Sequence, residues 1–130
     1  MISVPRQFAV ALLAASLCVT GAFAFLLPVL AAEPKGYVIE EIRVTDPLKF
    51  KQYTDLGPAT VTAYGGRFLV WGGGVDVIAG APPDGFVRVL EFPSVAQAKA
   101  WHESPALQKI LPIRNASSTS RVFIVEGLPP

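Results

Sequence analysis

The chain of 130 residues carries no charged side chain between Arg6 and Glu33. This stretch raises the apolar content of the whole sequence to 52%, while the remainder has the composition of an ordinary globular protein. About one hundred residues are therefore left to fold, which is the usual size of one domain with one core. We predict a single α+β domain over residues 33–130, preceded by a separate segment over residues 1–32.

The N-terminal segment has the three-part layout of a secretory signal peptide. Residues 1–7 hold the amino terminus and one arginine, residues 8–27 are almost entirely apolar, and small residues follow. Cleavage after Ala31 or Ala32 is the first choice, and Ala22-Phe23-Ala24 is a second possible site. We therefore predict a signal peptide.

An uncleaved membrane anchor is the alternative. An apolar run of about twenty residues can span a bilayer as a helix, whereas the apolar core of a signal peptide is usually about 7 to 15 residues. Arg6 keeps the amino terminus in the cytoplasm by the positive-inside rule, so the domain faces outward in both cases. We expect an exported protein, periplasmic or extracellular, that touches a membrane only through an uncleaved N-terminal segment.

Charge and cysteine content exclude several classes of function for the domain. Without Arg6, ten Lys and Arg residues balance ten Asp and Glu residues, so the domain has a formal net charge of zero. A nucleic-acid-binding protein needs a surplus of basic residues, so we predict no nucleic-acid partner. The one cysteine, Cys18, lies in the apolar segment, so the domain forms no disulfide and offers no thiolate.

Strand and helix signals alternate along the domain. Helix-capping residues followed by proline occur at Asp46-Pro47 and Ser104-Pro105, and Ser94 with Gln97 forms a capping box. Four segments rich in β-branched and aromatic residues are predicted strands: Gly36 to Val44, Arg67 to Trp71, Phe86 to Phe92 and Arg121 to Glu126.

Glycine and proline predict interruptions within these elements. We expect Gly57-Pro58 to kink or split the first helix, and Pro112 to end the last helical segment. Gly72-Gly73-Gly74 indicates a bulge or bend, after which Val75 to Ile78 is expected to continue as extended strand.

The order strand, helix, strand, strand, helix, strand predicts the ferredoxin-like split motif, with a four-stranded antiparallel sheet and both helices on one face. In the third strand Val87 and Val89 point to one side, and Leu90 and Phe92 to the other. Because the helices cover only one face, we predict that the second face packs against another copy in a homodimer.

The domain resembles the family known as domain of unknown function 1330. The matching pieces lie between Gly36 and Gly127: VTDP (Val44 to Pro47) with Tyr53, GGRFLV (Gly65 to Val70), Glu91-Phe92, AKAWHESP (Ala98 to Pro105), the Arg114 region and Glu126-Gly127. The resemblance implies a dimeric α/β-barrel fold but no reaction. This chain departs from the family at His102, where tyrosine is usual, and at Ala106-Leu107. A ligand that depends on that tyrosine in the family would differ here.

His102 is the one histidine and is predicted as a proton acceptor, with a haem ligand as another option. A plain helix-surface or cleft-edge position beside Trp101 is the alternative. One histidine and no domain cysteine make a structural zinc site improbable, so we predict no metal. The glycine runs lack the GxGxxG pattern between a strand and a helix, and we predict no cofactor.

Charged and aromatic side chains supply the candidate ligand contacts. Arg67 follows a glycine pair, where a guanidinium can clamp a carboxylate or phosphate, although a salt bridge is an alternative. Glu40, Arg88 and Glu91 interrupt apolar strand faces and need partners, and they can serve each other. Trp101 suits either core packing or stacking on a ligand. The predicted ligand-binding residues are Tyr53, Arg67, Arg88, Glu91 and Trp101.

Two functions fit these features. The first is a dimeric binding protein that holds a small organic molecule, with an anion as a candidate, in the cleft between sheet and helices. The alternative is a cofactor-independent monooxygenase or isomerase that acts on a small aromatic or carbonyl compound, with His102 as proton acceptor. The sequence leaves open whether the chain is an enzyme.

Overall fold

The computed structural model describes residues 32–130. The predicted signal peptide or anchor lies outside the described residues. Four strands and three helices are present there: β1 (Gly36–Val44), α1 (Pro47–Thr62), β2 (Arg67–Trp71), β3 (Phe86–Phe92), α2 (Val95–His102), α3 (Pro105–Asn115) and β4 (Ser118–Glu126). In this part of the chain no helix combines the length and the apolar character needed to cross a membrane.

The strands form one antiparallel sheet in the order β2-β3-β1-β4. Val38 in the middle of β1 pairs with Leu90 of β3 on one side and with Ile124 of β4 on the other. The order of elements and the sheet confirm the predicted α+β, ferredoxin-like fold.

The predicted helix starts are also present. Asp46 accepts a hydrogen bond from the Lys49 backbone N–H at 3.0 Å, and Pro47 occupies the first helical position, where its missing N–H leaves no bond unmade. Ser94 and Ser104 cap α2 and α3 in the same way, each accepting from a backbone N–H at 3.2 Å.

Pro58 does not split the first helix, so that part of the prediction is wrong. The helix α1 runs without a break from Pro47 to Thr62. Proline removes one backbone hydrogen bond, and its ring clashes with both the backbone N–H and the Cβ of a helical residue before it. Gly57 precedes the proline and has no Cβ, which reduces the clash. The helix α3 likewise continues past Pro112 to Asn115.

Residues 72–85 form a loop, and the predicted strand from Val75 to Ile78 is absent from the described chain. Gly72 ends β2 with a positive φ of 63°. Ile78 is 93% exposed, because neither helix nor strand covers the loop. The last strand begins earlier than predicted, at Ser118, which pairs with Val44 and gives β1 a partner along its whole length.

The core lies between the sheet and the helices. It contains Val38, Ile42, Phe50, Tyr53, Val61, Leu90, Phe92, Ala98, Trp101, Leu107 and Ile110. Alternation along β1 and β3 sends every second side chain to this side. Two of those side chains, Glu40 on β1 and Arg88 on β3, are charged.

Candidate functional site

Glu40 and Arg88 are buried on the helix-covered face of the sheet. They occupy directly paired positions on β1 and β3, with only 1% and 3% of their surfaces exposed. Arg88 Nη2 lies 2.6 Å from Glu40 Oε2. Taking a carboxylate and a guanidinium out of water is costly, and their mutual attraction offsets the cost only with good geometry and further hydrogen bonds.

A second arginine approaches the same carboxylate from α3. Arg114 Nη1 lies 3.9 Å from Glu40 Oε1, and Arg114 is 8% exposed. The formal charges of one carboxylate and two guanidinium groups give this cluster a net charge of +1. We call Glu40, Arg88 and Arg114 the charged cluster. A buried cluster with a net positive charge is suited to binding an anion.

Several polar atoms of the charged cluster make no hydrogen bond to other described residues. These atoms are Glu40 Oε1, Glu40 Oε2 and Arg88 Nε, and all three are buried. The 2.6 Å approach of Arg88 to Glu40 is therefore an ion pair whose N–H and carboxylate are poorly aligned for a hydrogen bond. Most buried polar groups in proteins are hydrogen-bonded, so these atoms mark the place where a ligand has most to gain.

Aromatic rings surround the Arg88 guanidinium. Its carbon lies 5.0 Å from the ring centre of Trp71 and 5.4 Å from that of Tyr53, while Phe68 and Phe86 lie 6.0 Å away. Cations within about 6 Å of such rings are attracted to their faces. The rings thus stabilise the charge of Arg88 without occupying its hydrogen-bond donors.

Tyr53 brings a phenolic hydroxyl to the charged cluster. Arg88 Nη2 lies 3.5 Å from the Tyr53 oxygen, a long contact in which the arginine donates. Burial raises the pKa of Tyr53 above its ordinary value of 10, the nearby Glu40 carboxylate raises it further, and the two arginines oppose the shift. The hydroxyl therefore keeps its proton at neutral pH and is available as a donor.

Trp101 lies beside the charged cluster with its own polar atom already bonded. Its Nε1 donates to Thr60 Oγ1 at 3.0 Å, and the Thr60 hydroxyl donates to the Gly57 carbonyl at 2.7 Å. The indole is 2% exposed and packs against Phe92, with the ring centres 5.2 Å apart. Trp101 therefore offers a ring face rather than a hydrogen bond.

Eight residues line an open pocket with about 190 Å³ of empty space, a volume that includes solvent at its mouth. It is lined by Glu40, Tyr53, Gly57, Val61, Phe68, Arg88, Leu90 and Trp101. Only about 10 Å³ is open to the centre of a water molecule, which is room for about one water. At Gly57 an added Cβ would meet no atom of another element within 4 Å.

The structure brings together three of the five predicted ligand-binding residues, Tyr53, Arg88 and Trp101. Arg67 and Glu91 lie on the opposite face of the sheet, where Arg67 Nε donates to Glu91 Oε1 at 3.0 Å. This hydrogen bond holds the pKa of Glu91 below its ordinary value. The salt bridge foreseen as the alternative for Arg67 is thus present, and neither residue lines the cavity.

His102 is the last residue of α2 and is half-buried. Its ring lies edge-on to Trp101, with the ring centres 6.3 Å apart, and it does not line the cavity. No cluster of three or more His, Cys, Asp or Glu side chains suited to a metal ion occurs within residues 32–130.

Sequence reasoning did not place Glu40 and Arg114 among the site residues, although both carried a signal. Glu40 alternates with Val38 and Ile42 along β1, which assigns it to the covered face. Arg114 follows Leu107 and Ile110 at helical spacing, so it belongs to the inward stripe of α3. A charged residue inside an apolar stripe was the informative pattern in both cases.

Solved structures with the same fold support this architecture. RPA0582, a protein of unknown function from Rhodopseudomonas palustris, is 21% identical with a TM-score of 0.60, covering 78% of this chain and 88% of that chain. HapK from Hahella chejuensis is 19% identical with a TM-score of 0.52, covering 73% of this chain and 94% of that chain. At these identities the likeness concerns the fold alone. No curated protein matches the sequence.

The family comparison covers almost the whole described chain. The sequence profile described as "Domain of unknown function (DUF1330)" matches residues 35–128. The match confirms the resemblance that the sequence pieces indicated, and it brings no reaction with it. The chain belongs to the DUF1330 family.

Proposed function

We propose that this chain is an exported, homodimeric binding protein that holds a small organic anion by its carboxylate at the charged cluster. The observation that carries the proposal is the buried net charge of +1 beside a cavity, formed by Glu40, Arg88 and Arg114. A monoanion would bring the total charge of the cluster to zero, which lowers the cost of keeping these groups away from water.

The donors of the charged cluster suit a carboxylate. Guanidinium groups make short, charge-assisted and often paired hydrogen bonds to carboxylates. The unbonded Nε of Arg88 and the protonated hydroxyl of Tyr53 add to these donors. The apolar part of the cavity wall is formed by Val61, Phe68, Leu90 and Trp101.

The size of the cavity limits what enters. With room for about one water, it takes only the carboxylate end of an acid, and the rest of the ligand extends through the mouth. We therefore expect small acids to bind better than bulky ones.

Calorimetric titration with acetate, propionate and benzoate tests the proposal. Arg114→Met is expected to weaken binding of the tightest acid by about tenfold, because it lowers the formal net charge of the cluster beside the cavity from +1 to zero. Arg67→Met is the matched control, since this arginine lies on the opposite sheet face and should leave binding unchanged. Equal loss in both variants, or no binding of any acid, would contradict the proposal.

The homodimer rests on the sheet face that the helices leave uncovered. Across its centre runs an apolar row formed by Val70, Val89, Ile39 and Phe123, one from each strand. Phe123 is 39% exposed and Val70 40%. A continuous apolar row of this kind is typical of an interface.

Charges on the same face favour a second copy as the occupant. The ion pairs Arg67–Glu91 and Glu41–Arg121 lie on opposite sides of the apolar row and between different strands. Consider a dimer in which the two sheets pack face to face, with the two-fold axis parallel either to the apolar row or to the strands. In both arrangements each glutamate lies opposite an apolar or aromatic residue of the second copy. Like charges therefore do not meet.

Light scattering coupled to size-exclusion chromatography measures the oligomeric state. Ile39→Glu introduces a charge into the centre of the apolar row and is expected to give a monomer. Leu48→Glu is the control, because Leu48 is 85% exposed on α1, away from the sheet. A monomeric wild-type protein, or a dimer that survives Ile39→Glu, would argue against this interface.

Export is supported by the uncharged segment before Glu33. N-terminal sequencing of the protein from the cell envelope tests cleavage, which predicts a mature chain beginning near residue 32 or 33. A chain that starts at Met1 in the membrane fraction would favour the anchor instead, and a chain found only in the cytoplasm would oppose export altogether.

The enzymatic alternative has less support from the geometry. Its proton acceptor, His102, does not line the cavity. The titratable groups that do reach the cavity are Glu40, Tyr53 and Arg88.

A further inference from the structure

The charged cluster contains acceptors as well as donors, which restricts the acids that fit it. Resting on the proposed anion site, we propose that the preferred ligand is a small 2-hydroxy acid, whose hydroxyl donates to Glu40 while its carboxylate accepts from Arg88. The carrying observation is the Glu40 carboxylate, 1% exposed and lining the cavity, with both oxygens lacking a hydrogen bond to any described residue.

A simple carboxylate complements only part of the cluster. Arg88 and the Tyr53 hydroxyl supply donors at the cavity, whereas the Glu40 carboxylate only accepts. A ligand that brings acceptors alone satisfies Arg88 and adds no donor for the two Glu40 oxygens. It also adds a second negative group close to Glu40, so one face of the site gains nothing from binding.

The position of Glu40 requires the donor to be close to the carboxylate of the ligand. Glu40 Oε2 lies 2.6 Å from Arg88, and Glu40 Oε1 lies 3.9 Å from Arg114. A carboxylate held by Arg88, the arginine that lines the cavity, therefore lies next to Glu40 as well. A hydroxyl on the neighbouring carbon reaches Glu40, while one several carbons away points out of a cavity this small.

Charge selects a hydroxyl over an ammonium group. A 2-hydroxy acid is a monoanion and neutralises the net charge of +1, whereas a zwitterionic 2-amino acid leaves that charge uncompensated. A 2-oxo acid has the required charge but no donor. A site with a buried hydrogen-bonding group discriminates against analogues that leave it unpaired.

Titration of the wild-type protein with four three-carbon compounds tests the inference. Lactate, propionate, pyruvate and alanine share a skeleton and differ in the group beside the carboxylate. The dissociation constant of lactate is expected to be at least about tenfold lower than those of propionate and pyruvate, because the lactate hydroxyl makes a hydrogen bond to a charged group. Calorimetry or chemical-shift titration gives the four dissociation constants.

Glu40→Gln tests the assignment of the acceptor. The amide keeps one oxygen and replaces the other with a donor, so the preference for lactate over propionate is expected to fall severalfold. Glu91→Gln is the matched control, because it makes the same change on the opposite face. Circular dichroism establishes whether each variant is folded. If Glu40→Gln does not fold, the titrations of the wild-type protein still test the preference for a hydroxy acid.

The outcomes separate this inference from the proposed function. Equal affinity for lactate and propionate overturns the hydroxy-acid preference and leaves the anion site standing. Tightest binding of alanine overturns it in favour of an ammonium-bearing ligand. Failure of all four compounds to bind contradicts the anion site and the inference together.

Discussion

Glu40 and Arg88 stand opposite each other on neighbouring strands and meet 2.6 Å apart beneath the helices. Strand pairing fixes the distance between their backbones, and strand alternation directs both side chains into the core. Arg114 reaches the same carboxylate from a different element, so the charged cluster ties α3 to the middle of the sheet. The same contacts that create the anion site therefore also affect the stability of the fold.

Arg88→Met is expected to lower the free energy of unfolding by about 3 kcal/mol or more, because it leaves Glu40 buried with only the more distant Arg114. Urea denaturation measures the change. Lys51→Met, which breaks the exposed Lys51–Asp55 pair on α1, is the control and should cost about 1 kcal/mol or less. The double variant Glu40→Leu/Arg88→Met should recover part of the loss, since apolar residues of similar size can replace a buried pair. A double variant no more stable than Arg88→Met would contradict this account.

Gly57→Ala is expected to weaken acid binding, because the added methyl group projects into space at the cavity wall and meets no atom of another element. Its effect on stability should be small. Alanine favours the helix by about 1 kcal/mol over glycine, and the new Cβ meets the Pro58 ring with the opposite effect. Calorimetric titration with propionate measures the affinity.

Pro58→Ala and the double variant Gly57→Ala/Pro58→Ala complete this experiment. The double variant removes the clash with the proline ring but keeps the methyl group at the cavity. It should therefore gain stability over Pro58→Ala and still bind propionate weakly. Unaltered binding in both alanine variants at position 57 would show that the ligand lies elsewhere.

Much of the fold was readable from local chemistry. Asp46 and Ser104, each followed by proline, predicted the helix starts, because their caps depend on adjacent residues alone. The prediction that Pro58 splits the helix is wrong because the clash of a proline ring depends on the residue before it, and Gly57 reduces that clash. The predicted strand from Val75 to Ile78 is wrong because β-branched residues suit a strand only where another strand is available for pairing.

The site could be predicted only in part, because it also depends on how separate elements pair and pack. Tyr53, Arg88 and Trp101 were predicted, but Arg67 and Glu91 were grouped with them although their strand positions place them on the other face. Residue type suggested ligand contact, whereas register decided which residues meet. The approach of Arg114 to Glu40 joins positions distant in the sequence, so it depends on how α3 packs.

Tyr53 should ionise only above its ordinary pKa of 10, since burial raises that pKa in the folded protein. The raised value means that the neutral phenol stabilises the folded state at lower pH. This contribution is fully present below pH 10, the unfolded value, and is lost as the pH rises through the folded pKa. Ultraviolet difference titration between the wild type and Tyr53→Phe isolates the transition, and a midpoint at or below 10 would disagree with the buried position.

His102→Ala should leave acid affinity within about twofold, because the imidazole does not line the cavity and the Gln108 side chain bonds to the backbone carbonyl of residue 102, which the substitution retains. Calorimetric titration with propionate compares the two proteins.

The same variant tests the proton acceptor of the enzymatic alternative once a substrate is known. Turnover that persists without the imidazole would remove His102, the one histidine in the chain, from that role. Turnover that disappears while acid binding stays intact would instead support His102 as the proton acceptor.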